Sequence, residues 1–237
     1  MNPYQKLLNR KRKWTPVQTT AGTCKEGAEE AIFRALALRH MELPVGDFIN
    51  DALATDVPKN ARDVLLSNVK DEENHDLALG YIANAYGVDE QAEAEALRLK
   101  SAWEAHPDHT ITKALVAERA IFFVLLPFFR FNGDAGMRTV SADISRDEQI
   151  HVAVNSLAHT ELGYNISPSL DKLRKATINW VMQPLGNHAD KYLNKKFWLD
   201  SSDRLMYEGK APQLAETKAA RMPAFFEHSN VNLPQYA

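Results

Sequence analysis

Apolar side chains recur every three to four residues along most of the chain, and the strict alternation that is typical of strands is scarce. This period predicts an all-α protein. The helices are expected at residues 23–54, 61–86, 89–105, 110–131, a stretch that includes 147–162, and 167–196. The third of these is rich in Ala, Glu and Leu, which indicates a surface helix.

Proline, glycine and capping residues mark where these helices should begin, end or bend. Residues 55–60 and 132–136 are rich in turn formers, and each is predicted to join two antiparallel helices. Thr23 opens a capping-box pattern that predicts the start of the first helix. Pro44 has no backbone N–H to donate, so it should kink or break that helix just past Glu42.

Composition narrows the class of protein. At 237 residues, with 45% hydrophobic and 25% charged residues, the chain can bury one sizeable core in the manner of an ordinary soluble protein. The formal net charge of −3 gives no reason to expect a nucleic-acid or membrane partner, and the basic run at 10–13 is expected to be a solvated arm. A single cysteine, Cys24, excludes an internal disulfide and favours a cytoplasmic location.

One five-residue motif, D-E-x-x-H, occurs at residues 71–75 and again at 147–151. A further glutamate stands 30 residues before the motif glutamate in each case, at Glu42 and at Glu118, and the two copies are offset by 76 positions throughout. One E-x-x-H match is weak evidence, because such a match arises easily by chance in a chain with eight histidines. The repetition is stronger, because one Glu and one E-x-x-H per half is what a carboxylate-bridged two-metal centre in a four-helix bundle requires.

Each glutamate pair is symmetric about a predicted turn. Glu42 and Glu72 both lie 15 residues from Val57, and the second pair lies at the same distance from Gly133. Residues equidistant from the turn of an antiparallel helix pair sit at about the same height. The stretch 86–110 then serves as the crossover of a ferritin-like bundle. Three other glutamates compete for the first-helix position but lie at the wrong distance from the turn: Glu26, Glu29 and Glu30.

The predicted metal ligands are four carboxylates and two imidazoles: Glu42, Glu72, His75, Glu118, Glu148 and His151. This set neutralises two divalent ions and leaves positions for O2, and its mixture of oxygen and nitrogen suits iron or manganese. Asp71 and Asp147 are predicted to hydrogen-bond the distal imidazole nitrogens. A solvent-facing position is the alternative, above all for Asp71. Three histidines lack a partner pattern and are expected not to be ligands: His40, His159 and His188.

Three segments of the chain resemble one protein family. Residues 144–151 read I-S-R-D-E-Q-I-H, which resembles the S-R-D-E-x-x-H signature of the small, radical-generating subunit of class I ribonucleotide reductase. Residues 118–123 are similar to that family's E-x-x-x-F-F segment, and residues 4–16 to its Y-x-K…W-T-P stretch. The resemblance implies a ferritin-like homodimer with an O2-activating dinuclear iron or manganese centre, working with a large catalytic subunit. In that scheme Asp147 orients a ligand histidine.

The chain also departs from this family. Leu79 stands where the family has its radical tyrosine, four residues after the first motif histidine, and Tyr81 should point elsewhere. Some members without the tyrosine keep the oxidising equivalent on a manganese-containing cluster. The family's radical-transfer tryptophan would lie just before Tyr4, about where this sequence begins, and is therefore expected to be missing. Trp14 matches a different position of the family. The chain is shorter than a usual member, and residues 232–237 lack the acidic-aromatic docking tail.

These patterns predict an N-terminal arm at 1–22, a ferritin-like helical domain with the metal centre at 23–197, and a C-terminal extension at 198–237. The favoured function is that of a minimal ribonucleotide reductase small subunit, an oxidoreductase that generates and stores an oxidant for the large subunit. The first alternative is a dimetal oxidase or oxygenase acting on a small or apolar substrate. The second is a ferroxidase or iron-storage protein, although the extra helices fit a spherical storage cage poorly. Three apolar residues could line an oxygenase pocket: Phe122, Phe123 and Leu126.

Overall fold

The computed structural model describes residues 2–214, and every regular element within them is helical. The prediction of an all-α fold is confirmed. No helix in this part of the chain is both long and apolar enough to cross a membrane. The α-helices are α1 (Pro3–Leu8), α2 (Glu29–Ala37), α3 (Glu42–Thr55), α4 (Arg62–Tyr86), α5 (Glu90–Glu104), α6 (Thr110–Ala117), α7 (Phe123–Asn132), α8 (Ala135–Leu162), α9 (Pro168–Met182) and α10 (Lys195–Glu208).

Four long helical segments form a bundle around the core. The first is α2 and α3, joined by the 3-10 turn Leu38–Met41; the second is α4; the third is α6 and α7, joined by the π-helical turn Glu118–Phe122; the fourth is α8. Helix α3 packs against α4 and α6, and α8 packs against α4, α6 and α7. Helix α5 crosses between the two hairpins and packs on α2. Helix α9 packs beside α5 on α2 and also contacts α6, while α10 packs on α9, α7 and the π-helical turn. This is the predicted ferritin-like bundle with a crossover helix and a C-terminal helix.

Side-chain caps fix where several of these helices begin. Asp89, Asp134, Ser167 and Asn194 each accept a hydrogen bond from a backbone N–H two or three residues ahead. Such a cap satisfies one of the N–H groups that a helix leaves free at its start. The second oxygen of Asp134 also accepts from the backbone N–H of Gly22 at 2.7 Å, so the same residue ties the N-terminal segment to α8.

The first bundle helix differs from its predicted form at both irregular points. It begins at Glu29, six residues later than expected, because Gly27 adopts a left-handed φ of 85° that ends the preceding turn. The distortion expected just past Glu42 instead precedes it, as the 3-10 turn Leu38–Met41. Helix α3 then restarts at Glu42, so Pro44 lies in its first turn, where a missing N–H breaks no intrahelical bond.

Helix α10 extends the helical structure beyond the point at which the sequence pattern weakens. Trp198 is fully buried, and its ring packs edge-on against Phe128 at a centroid distance of 5.4 Å. The expected start of the C-terminal extension, at residue 198, falls within this helix. The three-part division of the chain stays a prediction, and residues 215–237 of the extension lie outside the described residues.

A buried polar network joins α10 to the π-helical turn. The Ser202 hydroxyl donates to the Ala120 backbone oxygen at 2.6 Å and accepts from the Arg174 guanidinium at 2.6 Å. In the other direction, Arg119 Nε donates to the Leu205 backbone oxygen at 2.8 Å. A π-helical turn disturbs the regular pairing of helical carbonyls, so an external donor is needed there. Helix α10 supplies that donor.

We expect Ser202→Ala to lower the free energy of unfolding by about 1–3 kcal/mol, because it removes the buried donor to the Ala120 carbonyl and one acceptor of the Arg174 guanidinium, which keeps its bonds to two aspartates. The matched control is Ser201→Ala, since Ser201 is equally buried but donates within its own helix to Phe197 and accepts from the Gln213 amide, and neither bond reaches the π-helical turn. Ser201→Ala should lower the free energy of unfolding by less than about 1 kcal/mol. Urea unfolding of both variants measures the difference, and equal losses would contradict the role given to Ser202.

Candidate metal centre

The six predicted ligands meet in the interior of the bundle. Each of their side chains is at most 1% exposed. Glu42 is the first residue of α3, and Glu118 is the first residue of the π-helical turn. The two E-x-x-H motifs occupy the middle of α4 and α8. The structure therefore brings together all six residues that the repeat singled out, in two groups that each present atoms within 4.8 Å of one another: Glu42, Glu72, His75 and Glu148 in one, and Glu72, Glu118 and His151 in the other.

Two carboxylates lie between the imidazoles. The Nδ1 atom of His75 lies 3.3 Å from Glu72 Oε2 and 3.3 Å from Glu148 Oε1. The Nδ1 atom of His151 lies 2.9 Å from Glu72 Oε1 and 3.7 Å from Glu148 Oε1. The two ring centroids are 5.6 Å apart. Glu72 thus presents one oxygen to each histidine, which is the arrangement of a bridging carboxylate.

The other two glutamates each face one imidazole. Glu42 Oε2 lies 3.7 Å from His75 Nδ1, and Glu118 Oε1 lies 3.6 Å from His151 Nδ1. They occupy the two ends of the cluster, in the position of terminal ligands. These residues could hold two metal ions side by side, one beside His75 and Glu42 and one beside His151 and Glu118, with the carboxylates of Glu72 and Glu148 between the two histidines.

The hydrogen bonding of the cluster fits bound cations. Buried carboxylate oxygens without a hydrogen-bond partner are found on all four glutamates: Glu42 Oε2, Glu72 Oε1, Glu118 Oε1 and both oxygens of Glu148. Buried carboxylates cost several kcal/mol each unless they are paired or bind a metal. Oxygen and imidazole nitrogen are ligands that suit iron and manganese. The assignment of these residues as metal ligands stays a prediction, and the fit supports it.

Burial and mutual contacts shift the pKa values of most side chains in the cluster. Burial raises the pKa of Glu118 to about 8, against the opposing effect of the nearby His151 imidazole, and raises that of Glu42 well above its usual range. Burial alone would lower the pKa of both histidines, but the surrounding carboxylates raise it well above the ordinary value. For Glu72, burial is outweighed by the two imidazoles, which hold its pKa below the usual range. Metal ions would have to displace protons from this site.

Two further aspartates contact the outer nitrogens of the histidines. Asp147 Oδ2 lies 3.4 Å from His75 Nε2, and Asp71 Oδ2 lies 3.0 Å from His151 Nε2. Each aspartate therefore faces the histidine of the other motif, because α4 and α8 pack with the two motifs side by side. Asp71 is 8% exposed, so it is not the solvent-facing acid that the sequence left open. Contacts of this kind orient the ring and leave Nδ1 for a metal.

The N-terminal segment closes the outside of the cluster. Lys11 forms an ion pair with Asp71, and Arg12 Nε lies 3.5 Å from Asp147 Oδ1. The indole N–H of Trp14 donates to Asp147 Oδ2 at 2.6 Å, and its ring lies 6.3 Å from that of His75. The expectation that the basic run is a solvated arm is therefore wrong for Lys11 and Arg12, because both pair with acids next to the cluster.

The remaining candidate residues are not among the side chains that form the cluster. The Nε2 atom of His40 contacts Glu93 at 2.5 Å, and His159 contacts the Thr112 hydroxyl at 3.1 Å. Leu79 is buried one turn after His75. The three competing glutamates of the first helix are exposed: Glu26, Glu29 and Glu30.

Sequence reasoning missed two residues that contact this site. Trp14 stands in an irregular segment, so no periodicity indicates where its side chain lies. Asn155 donates to Glu118 Oε2 at 2.5 Å. Its position four residues after His151 places it on the ligand face of the helix, and this spacing was the signal that could have identified it.

We expect the metal-free protein to bind about two Fe2+ or Mn2+ ions per chain and to melt at a higher temperature once loaded, because ligands that bind only the folded state stabilise it. Glu72→Ala should lose both ions, since Glu72 faces both histidines, whereas Glu42→Ala should retain about one. Glu73→Ala is the control, because Glu73 is exposed. Metal analysis after anaerobic loading and desalting measures the stoichiometry. Two ions retained by Glu72→Ala would contradict the bridging role.

Comparison with known proteins supports the fold. No protein-family model and no curated protein matches the chain. Among solved structures, the chain is similar to the crystal structure of a protein from Bacillus halodurans described as a candidate class I ribonucleotide reductase, with a TM-score of 0.59, 15% sequence identity and 90% of each chain covered. At this identity the likeness shows the fold alone: the chain has a ribonucleotide reductase-like helical fold that encloses a Glu/His cluster able to hold two metal ions.

Proposed function

We propose that this protein is a small, oxidant-generating subunit of the class I ribonucleotide reductase type. The observation that carries the proposal is the buried cluster of four glutamates and two histidines within a ribonucleotide reductase-like fold. Bound iron or manganese would supply the redox chemistry with O2, and the product would be an oxidant stored in the protein. A large catalytic subunit would then use that oxidant to begin the reduction of ribonucleotides.

The surroundings of the cluster suit storage of an oxidant. Leu79 occupies the turn after His75, and it is an aliphatic side chain that resists oxidation. Phe122 and Leu126 are buried in the adjoining segment, where they exclude water from the interior. An oxidant formed at the cluster would therefore stay on the metals and would not pass to a neighbouring tyrosine, as the sequence resemblance also suggests.

Trp14 offers a route by which the stored oxidant could leave. Its indole is hydrogen-bonded to Asp147, and Asp147 in turn contacts His75, so an aromatic ring that is only half buried is linked to the interior. In the proposed transfer, the indole gives one electron to the centre and its N–H proton moves to Asp147. An electron from the partner subunit, together with return of the proton from Asp147, would then restore the indole. The sequence resemblance predicts that the family's radical-transfer tryptophan is missing from this chain. In the proposed route, Trp14 takes the role of that tryptophan.

The first test is to load the metal-free protein with iron, manganese or both, expose it to O2 and record electron paramagnetic resonance. We expect a long-lived paramagnetic signal with at least one metal loading, and its loss in Glu118→Ala. Prompt decay to a silent, fully oxidised state with every loading would favour the alternatives, a dimetal oxidase, an oxygenase or a ferroxidase. A protein that binds no metal would exclude all of these functions.

A second test addresses the route through Trp14. We expect Trp14→Phe to form the stored oxidant normally but to slow its reduction by ferrocyanide severalfold, because phenylalanine has neither the N–H bond to Asp147 nor an easily oxidised ring. Trp180→Phe is the control, since Trp180 packs beside Arg34 in α2, outside the cluster. Stopped-flow absorbance follows the decay in each variant. Equal rates in the wild type and Trp14→Phe would remove Trp14 from the route.

A third test addresses the partner. We expect the protein to form a homodimer on sizing and to support ribonucleotide reduction only when it is mixed with a ribonucleotide reductase large subunit from the same source. Neither component should be active alone. A loaded protein that holds a stable oxidant but never supports this reaction with that subunit would contradict the proposed partner.

A further inference from the structure

The 76-residue offset that relates the candidate ligands also pairs residue 79 with residue 155, and these two positions carry different chemistry. Leu79 lies four residues after His75, and Asn155 lies four residues after His151. Both side chains are buried, and both lie one turn beyond a candidate ligand, on the same face of the helix. One half of the centre therefore has an amide where the other half has an aliphatic side chain.

Because of this difference, one terminal glutamate receives a hydrogen bond from this position and the other does not. The Asn155 amide donates to Glu118 Oε2 at 2.5 Å, and the other oxygen of Glu118 faces His151. Glu42 Oε2 faces His75 and has no hydrogen-bond partner, and Leu79 has no donor to offer it. The carboxylate of Glu118 is held in one orientation before any metal binds, whereas no such bond from residue 79 holds Glu42.

The backbone is also held more firmly at Glu118 than at Glu42. Glu118 begins the π-helical turn, and α10 holds this turn through the Ser202 bond to Ala120 O and the Arg119 bond to Leu205 O. Glu42 follows directly on a 3-10 turn, and the next residue, Leu43, is 47% exposed. Glu118 is thus anchored through its backbone and its carboxylate together.

We propose that Asn155 is a positioning residue that makes the two metal positions unequal, so that the position formed by Glu118 and His151 binds its ion more tightly. The inference rests on the two-metal centre of the proposed function. A ligand that is already oriented loses less conformational freedom on binding, so the same donor atoms bind more strongly. Asn155 Oδ1 is buried without a partner of its own, which leaves an acceptor beside the Glu118 position for a polar group that binds with the metal.

The experiment is a Mn2+ titration of the metal-free protein. Binding is measured by calorimetry and by the paramagnetic resonance signal of unbound Mn2+. We expect two binding steps of unequal affinity in the wild type. Asn155→Leu reproduces the residue of the other half, and it should weaken the tighter step by about 10–100-fold while both ions still bind at high concentration. The readout is binding, so it does not depend on any activity of the loaded protein.

Asn68→Leu is the matched control. Asn68 is also fully buried, lies on α4 one turn before Glu72, and has an amide without a hydrogen-bond partner. The same substitution there removes no contact to a candidate ligand and should leave both affinities unchanged. If Asn155→Leu shows no cooperative melting transition, Asn155→Ala takes its place in the titration.

A double-mutant cycle shows whether Asn155 acts through Glu118. Glu118→Ala should remove the tighter step, and Asn155→Leu should cause no further weakening in that background. The inference is overturned if the wild type has two equal sites, if Asn155→Leu binds as the wild type does, or if Glu118→Ala removes the weaker step. In each of those cases the wild type still binds two ions, so the proposed function stands. A wild type that binds no Mn2+ or Fe2+ would overturn both.

Discussion

The burial of six ionisable side chains in the centre of a helical bundle is the constraint on which the rest of this structure depends. Four carboxylates and two imidazoles lie within a core that is otherwise largely apolar, where unpaired charges are expensive. The two breaks in helical regularity within the bundle both occur at terminal glutamates, since α3 restarts at Glu42 and the π-helical turn begins at Glu118. Both carboxylates are thus presented to the interior from irregular stretches of backbone.

Charge is compensated in successive layers outward from the centre. The imidazoles face the glutamates with Nδ1 and the aspartates with Nε2, and the aspartates in turn contact the basic residues of the N-terminal segment. This segment is therefore part of the site even though it lies outside the bundle. The two series of contacts differ at their outer ends. The series through Asp71 ends at the ammonium of Lys11, and the series through Asp147 also reaches the indole of Trp14. Only the second contains a group that gives up an electron readily.

The fold and the composition of the candidate site could be largely predicted from local information. Hydrophobic period and turn residues are properties of neighbouring positions, and they located the bundle helices and both hairpin turns. The equal distance of Glu42 and Glu72 from the first turn is a consequence of helix geometry, so the sequence contained it. The start of the first helix was misplaced because Thr23 has the residue type of a cap, while Gly27 carries the left-handed backbone that ends the preceding turn.

The sequence by itself thus determined an all-α bundle and a repeated Glu and E-x-x-H set directed towards its interior. Only the tertiary structure decided that each aspartate faces the histidine of the opposite motif, that Trp14 reaches Asp147, and that Asn155 holds Glu118. These contacts join elements far apart in the chain, and their geometry depends on how the helices pack and on where an irregular segment lies. Spacing within one helix places Asn155 on the ligand face, but it does not encode which residue of another element each side chain contacts. The ligands could therefore be predicted, and most of their contacts could not.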